Sequence, residues 1–202
     1  MYFLKIVFLV FLAACEFQRI EANRDNARIV LRDTNKKRHS HGCQELFLDL
    51  ALSTDCEKYA RKLAKQKNYT YSDPTNSKYS ENICKYKIVR GGLSRCVNDW
   101  YRGQKLDFLD PRAKEFTAMI WRSSNFMGYG DATINANEGI MVVRYTPPGN
   151  IRGLYTDNVP PKKKHKHKNQ HKNCASCQDN RCLILLILFF SYRLGFLYFN
   201  IG

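Results

Sequence analysis

The sequence predicts an α+β fold, on three observations. Cys56–Ala64 and Leu93–Gln104 carry apolar side chains at three- and four-residue steps, the spacing of helices that bury one face. Lys114–Trp121 reads as a short aromatic helix, and Phe126–Thr133 and Ile140–Tyr145 follow it as two β segments. Pro147-Pro148-Gly149 then stops the pattern.

Taken in order, the chain starts with Lys5 ahead of the apolar run Ile6–Ala14, which ends in small residues. This predicts a secretory signal peptide within residues 1–22, cut between Ala14 and Ala22 and too short to span a bilayer. Asn26–His39 is a first helix of moderate amphipathicity. Leu46, Leu48 and Leu52 lead into a second helix, with Thr54 and Glu57 at capping-box spacing to mark its start. Cys56, Tyr59, Ala60 and Leu63 form its apolar face, and Lys58, Arg61, Lys62 and Lys65 its outer face. Asn68–Lys87 reads as a polar, Tyr-rich loop containing Asp73-Pro74. Gly91-Gly92 opens a third helix whose apolar face runs Leu93, Cys96, Val97, Trp100, Tyr101 and on to Gln104. Asp110-Pro111 ends the next connection. In the first strand Gly128 and Gly130 share a face, where another backbone can approach closely. Ile134–Gly139 is a turn, and the second strand is apolar on both faces near its start, as expected under covering helices.

After residue 160 the composition changes. Residues 161–182 form a basic His/Lys/Cys-rich tail with no apolar anchors, expected to be disordered. Residues 183–202 are almost wholly apolar. A membrane span, a GPI-attachment signal with Ala175 and Ser176 as its small residues, and an incidental extension are equal readings of that end.

The 202 residues suffice for one domain with flanking segments, and 44% hydrophobic with 13% aromatic residues can build a sizeable core. Lys and Arg number 33 against 18 Asp and Glu, a net charge of +15. That surface favours anionic partners such as acidic lipid, sulfated glycan or nucleic acid. No nucleic-acid-reading motif is present. Eight cysteines point to an oxidising compartment. Cys43, Cys56, Cys84 and Cys96 are expected to form two bridges, with three pairings open. Asn68-Tyr69-Thr70 is an N-glycosylation sequon at Asn68.

Several motifs together resemble the CAP superfamily of cysteine-rich secretory, antigen 5 and pathogenesis-related proteins (the SCP domain), nearest its Golgi-associated plant-pathogenesis-related-like group. Lys114-Glu115-Phe116-Thr117 to Trp121 is similar to that family's Gly-His-Phe-Thr-x-x-x-Trp signature. Tyr145-Thr146-Pro147-Pro148-Gly149-Asn150 is similar to its Tyr-x-Pro-x-Gly-Asn signature. Asn35, Arg38, His41 and Gly42 match its His-Asn-x-x-Arg-x-x-His-Gly opening, with Thr34 in place of the first histidine. Ser80-Glu81-Asn82 resembles its Gly-Glu-Asn, and Trp100-Tyr101 its Trp-Tyr. The resemblance implies an α-β-α sandwich with a mostly antiparallel central sheet over residues 26–160.

It also implies a cleft that, in the family, carries two histidines able to bind zinc and two glutamates. Here Tyr71 stands at the first histidine, Glu81 keeps the first glutamate, Gly103 replaces the second glutamate, and Glu115 replaces the second histidine. A phenol titrating near pH 10 is a poor zinc ligand, and two carboxylates make a harder, weaker site. No metal and no other cofactor is therefore expected. A pairing of His39 with His41 as ligands ranks below a helix-end histidine bonding the last carbonyls. A second cluster of His165, His167, His171, Cys174 and Cys177 fits no standard zinc format. Asp107, Asp110 and Glu138 read as surface charges, and no Ser-His-Asp or Cys-His constellation occurs.

The expected function is that of a secreted or surface-tethered, non-catalytic binding protein. Its ligand classes are a lipid or sterol, an anionic membrane or glycan surface, and a protein partner. One competing reading is a hydrolase using Glu81 with Glu115. Another is a structural or defence-type protein with a vestigial cleft.

Overall fold

The computed structural model of the protein describes residues 2–66, 68–72 and 77–163. The basic tail beyond residue 163, the apolar segment 183–202 and Asp73-Pro74 lie outside the described residues. The expected first helix is part of a longer one, α1 (Tyr2–His41). Only its second half has a core beneath it: Ala27, Val30, Thr34, Arg38 and His41 are buried at helical steps, while Ile6–Leu12 are 44–64% exposed. No described helix is long and apolar enough to cross a membrane.

A two-residue strand β1 (Phe47–Leu48) follows and leads into α2 (Leu50–Leu63). The α2 cap is Asp49, whose carboxylate accepts the Leu52 N–H at 3.0 Å, and not Thr54. Thr54 instead bonds back to the Leu50 carbonyl one turn earlier, which a threonine inside a helix can do. The expected polar loop proves half right: residues 68–72 are irregular, but Ser80–Lys87 is a strand, β2. Gly91, with φ of 81°, caps α3 (Gly92–Tyr101), and Gln104 lies in a 3-10 turn over Arg102–Lys105. Then come α4 (Lys114–Ile120), β3 (Phe126–Asn135), β4 (Glu138–Thr146) and a last turn, α5 (Tyr155–Asn158). The expected six-residue turn between the last two strands shrinks, because both strands extend into it.

The strand order is β1-β3-β4-β2. The β3/β4 and β4/β2 pairs are antiparallel and the short β1/β3 pair is parallel, so the sheet is mixed. Alternation along β4 separates two cores. Ile140 and Val142 meet Cys56, Ala60 and Leu63 of α2 on one face. Met141, Val143 and Tyr145 join the side of the sheet covered by α1, α3 and α4. The result is the expected three-layer α-β-α arrangement. The paired glycines of β3 allow α2 to lie close: a Cβ at Gly130 would fall 2.1 Å from the Glu57 nitrogen.

Two of the opening-motif residues tie distant segments together. Arg38 is fully buried and donates to the carbonyls of Gln44, Met119, Trp121 and Ser124 at 2.8–3.0 Å. His41 shares hydrogen bonds with the Pro160 carbonyl (2.6 Å) and the Tyr101 hydroxyl (2.9 Å), not with the end of its own helix. His39 is exposed, so the two histidines do not converge.

Of the four candidate cysteines, Cys84 of β2 and Cys96 of α3 form a disulfide with Cα atoms 6.0 Å apart. The expected second bridge is absent. Cys43 and Cys56 are free and buried in the two different cores, with the sheet between them. Closing a loop of this length stabilises by about 3 kcal/mol in the chain-entropy picture. The double Cys84→Ser, Cys96→Ser variant should therefore lose about 2–3 kcal/mol in urea unfolding. A reductant should do the same to the natural chain, and indifference to both would contradict the bridge.

Candidate functional site

Four segments meet at the start of β2. In the β2/β4 register Glu81 lies directly opposite Arg144. The Arg144 Nε donates to Glu81 Oε2 at 2.8 Å, and the two side chains are only 6% and 5% exposed. Taking two charges out of water is costly unless each finds further partners. Glu81 finds them in the irregular segment before β2: its carboxylate also accepts the Ser72 N–H (2.8 Å) and the Ser72 hydroxyl (2.9 Å). The Arg144 guanidinium lies 4.1 Å from the Tyr79 ring centre and 5.5 Å from that of Tyr59, a cation–π contact on each.

The neighbouring residue, Tyr71, turns the other way. Its hydroxyl donates to Glu115 Oε1 at 2.6 Å, and the Lys114 ammonium stands 3.7 Å from its ring centre. Burial, and then the bond to the Glu115 carboxylate, hold the Tyr71 phenol well above the ordinary tyrosine range, so it stays protonated. Glu115 is in the first turn of α4, where negative charge is favoured. That turn is fixed from two sides. Asn82 of β2 donates to the Glu115 carbonyl (3.0 Å), and Asn150 donates to the Lys114 carbonyl (2.9 Å) while accepting from the Thr117 hydroxyl (2.6 Å).

Gly103 is not an open position. A Cβ there would lie 2.9 Å from the Phe116 Cβ and 3.1 Å from the Ala113 Cα. A glutamate at 103 would thus require α4 to move.

Tyr71, Glu81 and Glu115 are therefore gathered around one segment, with Gly103 packed beneath α4, but the two carboxylates are not a pair. Glu81 belongs to the α2 side of the sheet and Glu115 to α4 on the other side, and Tyr71-Ser72 bridges them. Both Glu81 oxygens already accept hydrogen bonds, one of them from a fixed cation, so neither stands free to face a substrate proton. The same geometry fits zinc poorly. The phenol is neutral, Gly103 offers no donor, and Glu81 is neutralised by Arg144 instead of presenting free charge. Among the described residues no group of three His, Cys, Asp or Glu side chains could hold a metal.

Arg144, Ser72 and Tyr79 escaped the sequence reading, which placed Tyr59 only on the apolar face of α2. One signal was present: Arg144 is a single cation in the otherwise apolar run Ile140–Tyr145. Asn68 is exposed, and Asp110 and Glu138 pair with Arg112 and Lys85 at the surface.

Comparison with known proteins places this geometry in context. The family model described as CAP, the cysteine-rich secretory protein family, matches residues 31–145. The chain is 29% identical over 143 residues to the human Golgi-associated plant pathogenesis-related protein 1, covering 67% of this chain and 92% of that protein. It is also 29% identical over 149 residues to a probable pathogenesis-related protein of Candida albicans, covering 69% and 68%. Among solved structures, NaASP2 with Zn2+ superposes with a TM-score of 0.51 at 19% identity, covering 70% of this chain and 86% of that one. MpPR-1i superposes with a TM-score of 0.50 at 19% identity, covering 65% and 93%. At such identities these structures speak for the fold alone.

Proposed function

From the premise that the chain belongs to the CAP, or cysteine-rich secretory protein, family, we propose that it is a non-catalytic binding protein, secreted or held at a surface. Its partners carry negative charge, an anionic lipid surface first among them. The observation that carries the non-catalytic part is the saturation of Glu81 by Arg144 and Ser72. With Glu81 neutralised and Glu115 bonded to a protonated Tyr71, the site has neither a free general base nor a zinc-ligand set. The structurally similar NaASP2 was solved with Zn2+; this chain's donors support no such ion. The hydrolase reading gains nothing from the geometry, because its two carboxylates do not face each other.

The charge of +15 supports the anionic partner. An exposed N-terminal apolar run with no core beneath it suits a segment removed during secretion. The exposed sequon at Asn68 suits the same route.

Co-sedimentation with vesicles of mixed phosphatidylcholine and phosphatidylserine tests the reading. Each lysine near such a surface contributes about 1 kcal/mol. Binding should fall steeply as salt rises and the screening length shrinks to about 3 Å near 1 M, and deletion of Lys162–Lys172 should weaken it. Binding unmoved by both changes would remove the electrostatic claim. Hydrolytic turnover lost on Glu81→Gln would remove the non-catalytic one.

A further inference from the structure

The turn that joins β2 to α3 holds two large apolar side chains in solvent. Ile88 is 45% and Val89 61% exposed, and Lys87 and Arg90 flank them directly. The backbone of the turn is fixed. The Ile88 N–H donates to the Asn137 carbonyl at 2.9 Å, and the Gly92 N–H donates to the Val89 carbonyl at 2.9 Å. Gly91 supplies the left-handed residue that reverses the chain. A Cβ at Gly92 would fall 2.1 Å from the Lys87 carbonyl oxygen, so the turn closes tightly. Just behind it the Cys84–Cys96 disulfide staples β2 to α3. The apolar pair therefore stands on a braced support, and little ordering is left to be done on binding.

The charges around this turn do not cancel. Three carboxylates stand near it, and each has its own cation. Glu138 is bonded to Lys85 at 2.9 Å and Asp99 to Arg102 at 3.0 Å. Asp33, which the Ser94 hydroxyl reaches from α3, is bonded to Arg32 at 3.1 Å. Lys87, Arg90 and Arg95 are exposed, and among the described residues none of them is in an ion pair. Lys87 and Arg95 line one small hollow of about 180 Å³ together with Val89. The apolar tip is thus collared by cations that carry no counter-charge of their own.

We infer that this turn is the tip by which the protein docks on an anionic bilayer. Ile88 and Val89 enter the acyl boundary, and Lys87, Arg90 and Arg95 meet the lipid phosphates above it. The inference rests on the reading of an anionic lipid surface as partner and names the part of the domain that touches it. Apolar side chains outermost, with cations set back from them, match the layers of a bilayer. Lysine and arginine reach headgroup level while their stems lie along apolar surface. A sulfated glycan would be met by the cations alone and would leave Ile88 and Val89 in water. A stable protein partner needs about 800 Å² of surface on each side. The residues across the neighbouring β3/β4 turn, Asn135 and Asn137, are polar and do not extend the apolar patch.

Vesicles of phosphatidylcholine and phosphatidylserine, with and without bromine on the acyl chains, test this with the full chain. Val89→Trp puts a reporter at the tip; Trp100 and Trp121 are buried, so the natural chain supplies the baseline. The added fluorescence should be quenched by the brominated lipid. Val89→Asp should raise the lipid concentration for half-binding about tenfold, the equivalent of about 1.4 kcal/mol, with an unchanged circular dichroism spectrum. Lys87→Glu combined with Arg90→Glu should do the same at low salt and lose its effect near 1 M, where the screening length is about 3 Å. No bromine quenching, or half-binding unmoved by Val89→Asp, overturns the tip while the anionic-lipid reading stands. No vesicle binding by the natural chain overturns both. Retention on a sulfated-glycan column that Lys87→Glu with Arg90→Glu abolishes, with vesicle binding unchanged, assigns these cations to a glycan and overturns the tip as well.

Discussion

Replacing Arg38 by alanine should cost at least about 4 kcal/mol of stability, much of what a domain of this size has. The guanidinium is fully buried and donates to four carbonyls from three separate segments. Two of those carbonyls close α4 and a third precedes β3, so one side chain holds the end of the helix that carries Glu115. Truncation leaves a cavity and removes a donor from four carbonyls; the Trp121 carbonyl keeps the Ser124 N–H at 3.2 Å, and each acceptor left unsatisfied costs about 1–3 kcal/mol before relaxation. Arg38→Lys should recover only a minority of the loss, since an ammonium cannot reproduce the planar fork. Urea unfolding followed by tryptophan fluorescence measures both, and a loss below about 1 kcal/mol for alanine would contradict the clamp.

The second large effect is at Glu81 and Arg144. Glu81→Gln leaves a buried guanidinium without its counter-charge and should cost about 3–5 kcal/mol. Arg144→Met strands the carboxylate and should cost about as much. The double variant should be more stable than the sum of the singles predicts, with a coupling of about 2 kcal/mol or more, because neither charge is then left alone. Additive losses would mean that the pair is not a unit. The stack of Tyr79 and Tyr59 on the guanidinium should survive in part against methionine, since both tyrosines keep an apolar neighbour.

The helices of this fold were legible because burial on one face imprints a repeat on the sequence. The step from Cys56 to Leu63 and the step from Leu93 to Trp100 each record which side meets the sheet. β2 left no such imprint. Ser80–Lys87 is an edge strand with only Asn82 fully buried, and its other residues are polar or half-exposed. Its conformation comes from eight pairings with β4, not from its own pattern. The α2 start was misplaced for a related reason: Thr54 with Glu57 and Asp49 with Leu52 offer similar local chemistry, and the chain entering from β1 selects the earlier one.

The site was legible in its residue types and not in its connections. The departure of Tyr71, Gly103 and Glu115 from a zinc-binding set is what the resemblance implies. Nothing local to Glu81 named its partner, 63 residues away, since only the β2/β4 register brings Arg144 opposite. The cysteines repeat the point: spacing left three pairings open, and the sheet decided by placing Cys43 and Cys56 on opposite sides.

Pattern and motif along the chain were enough for the family and the layered scaffold, because helical repeats and residue chemistry are local properties. Which charges neutralise each other and which cysteines bond depend on where distant segments come to rest. Those outcomes follow from strand register and from the side of the sheet each helix covers.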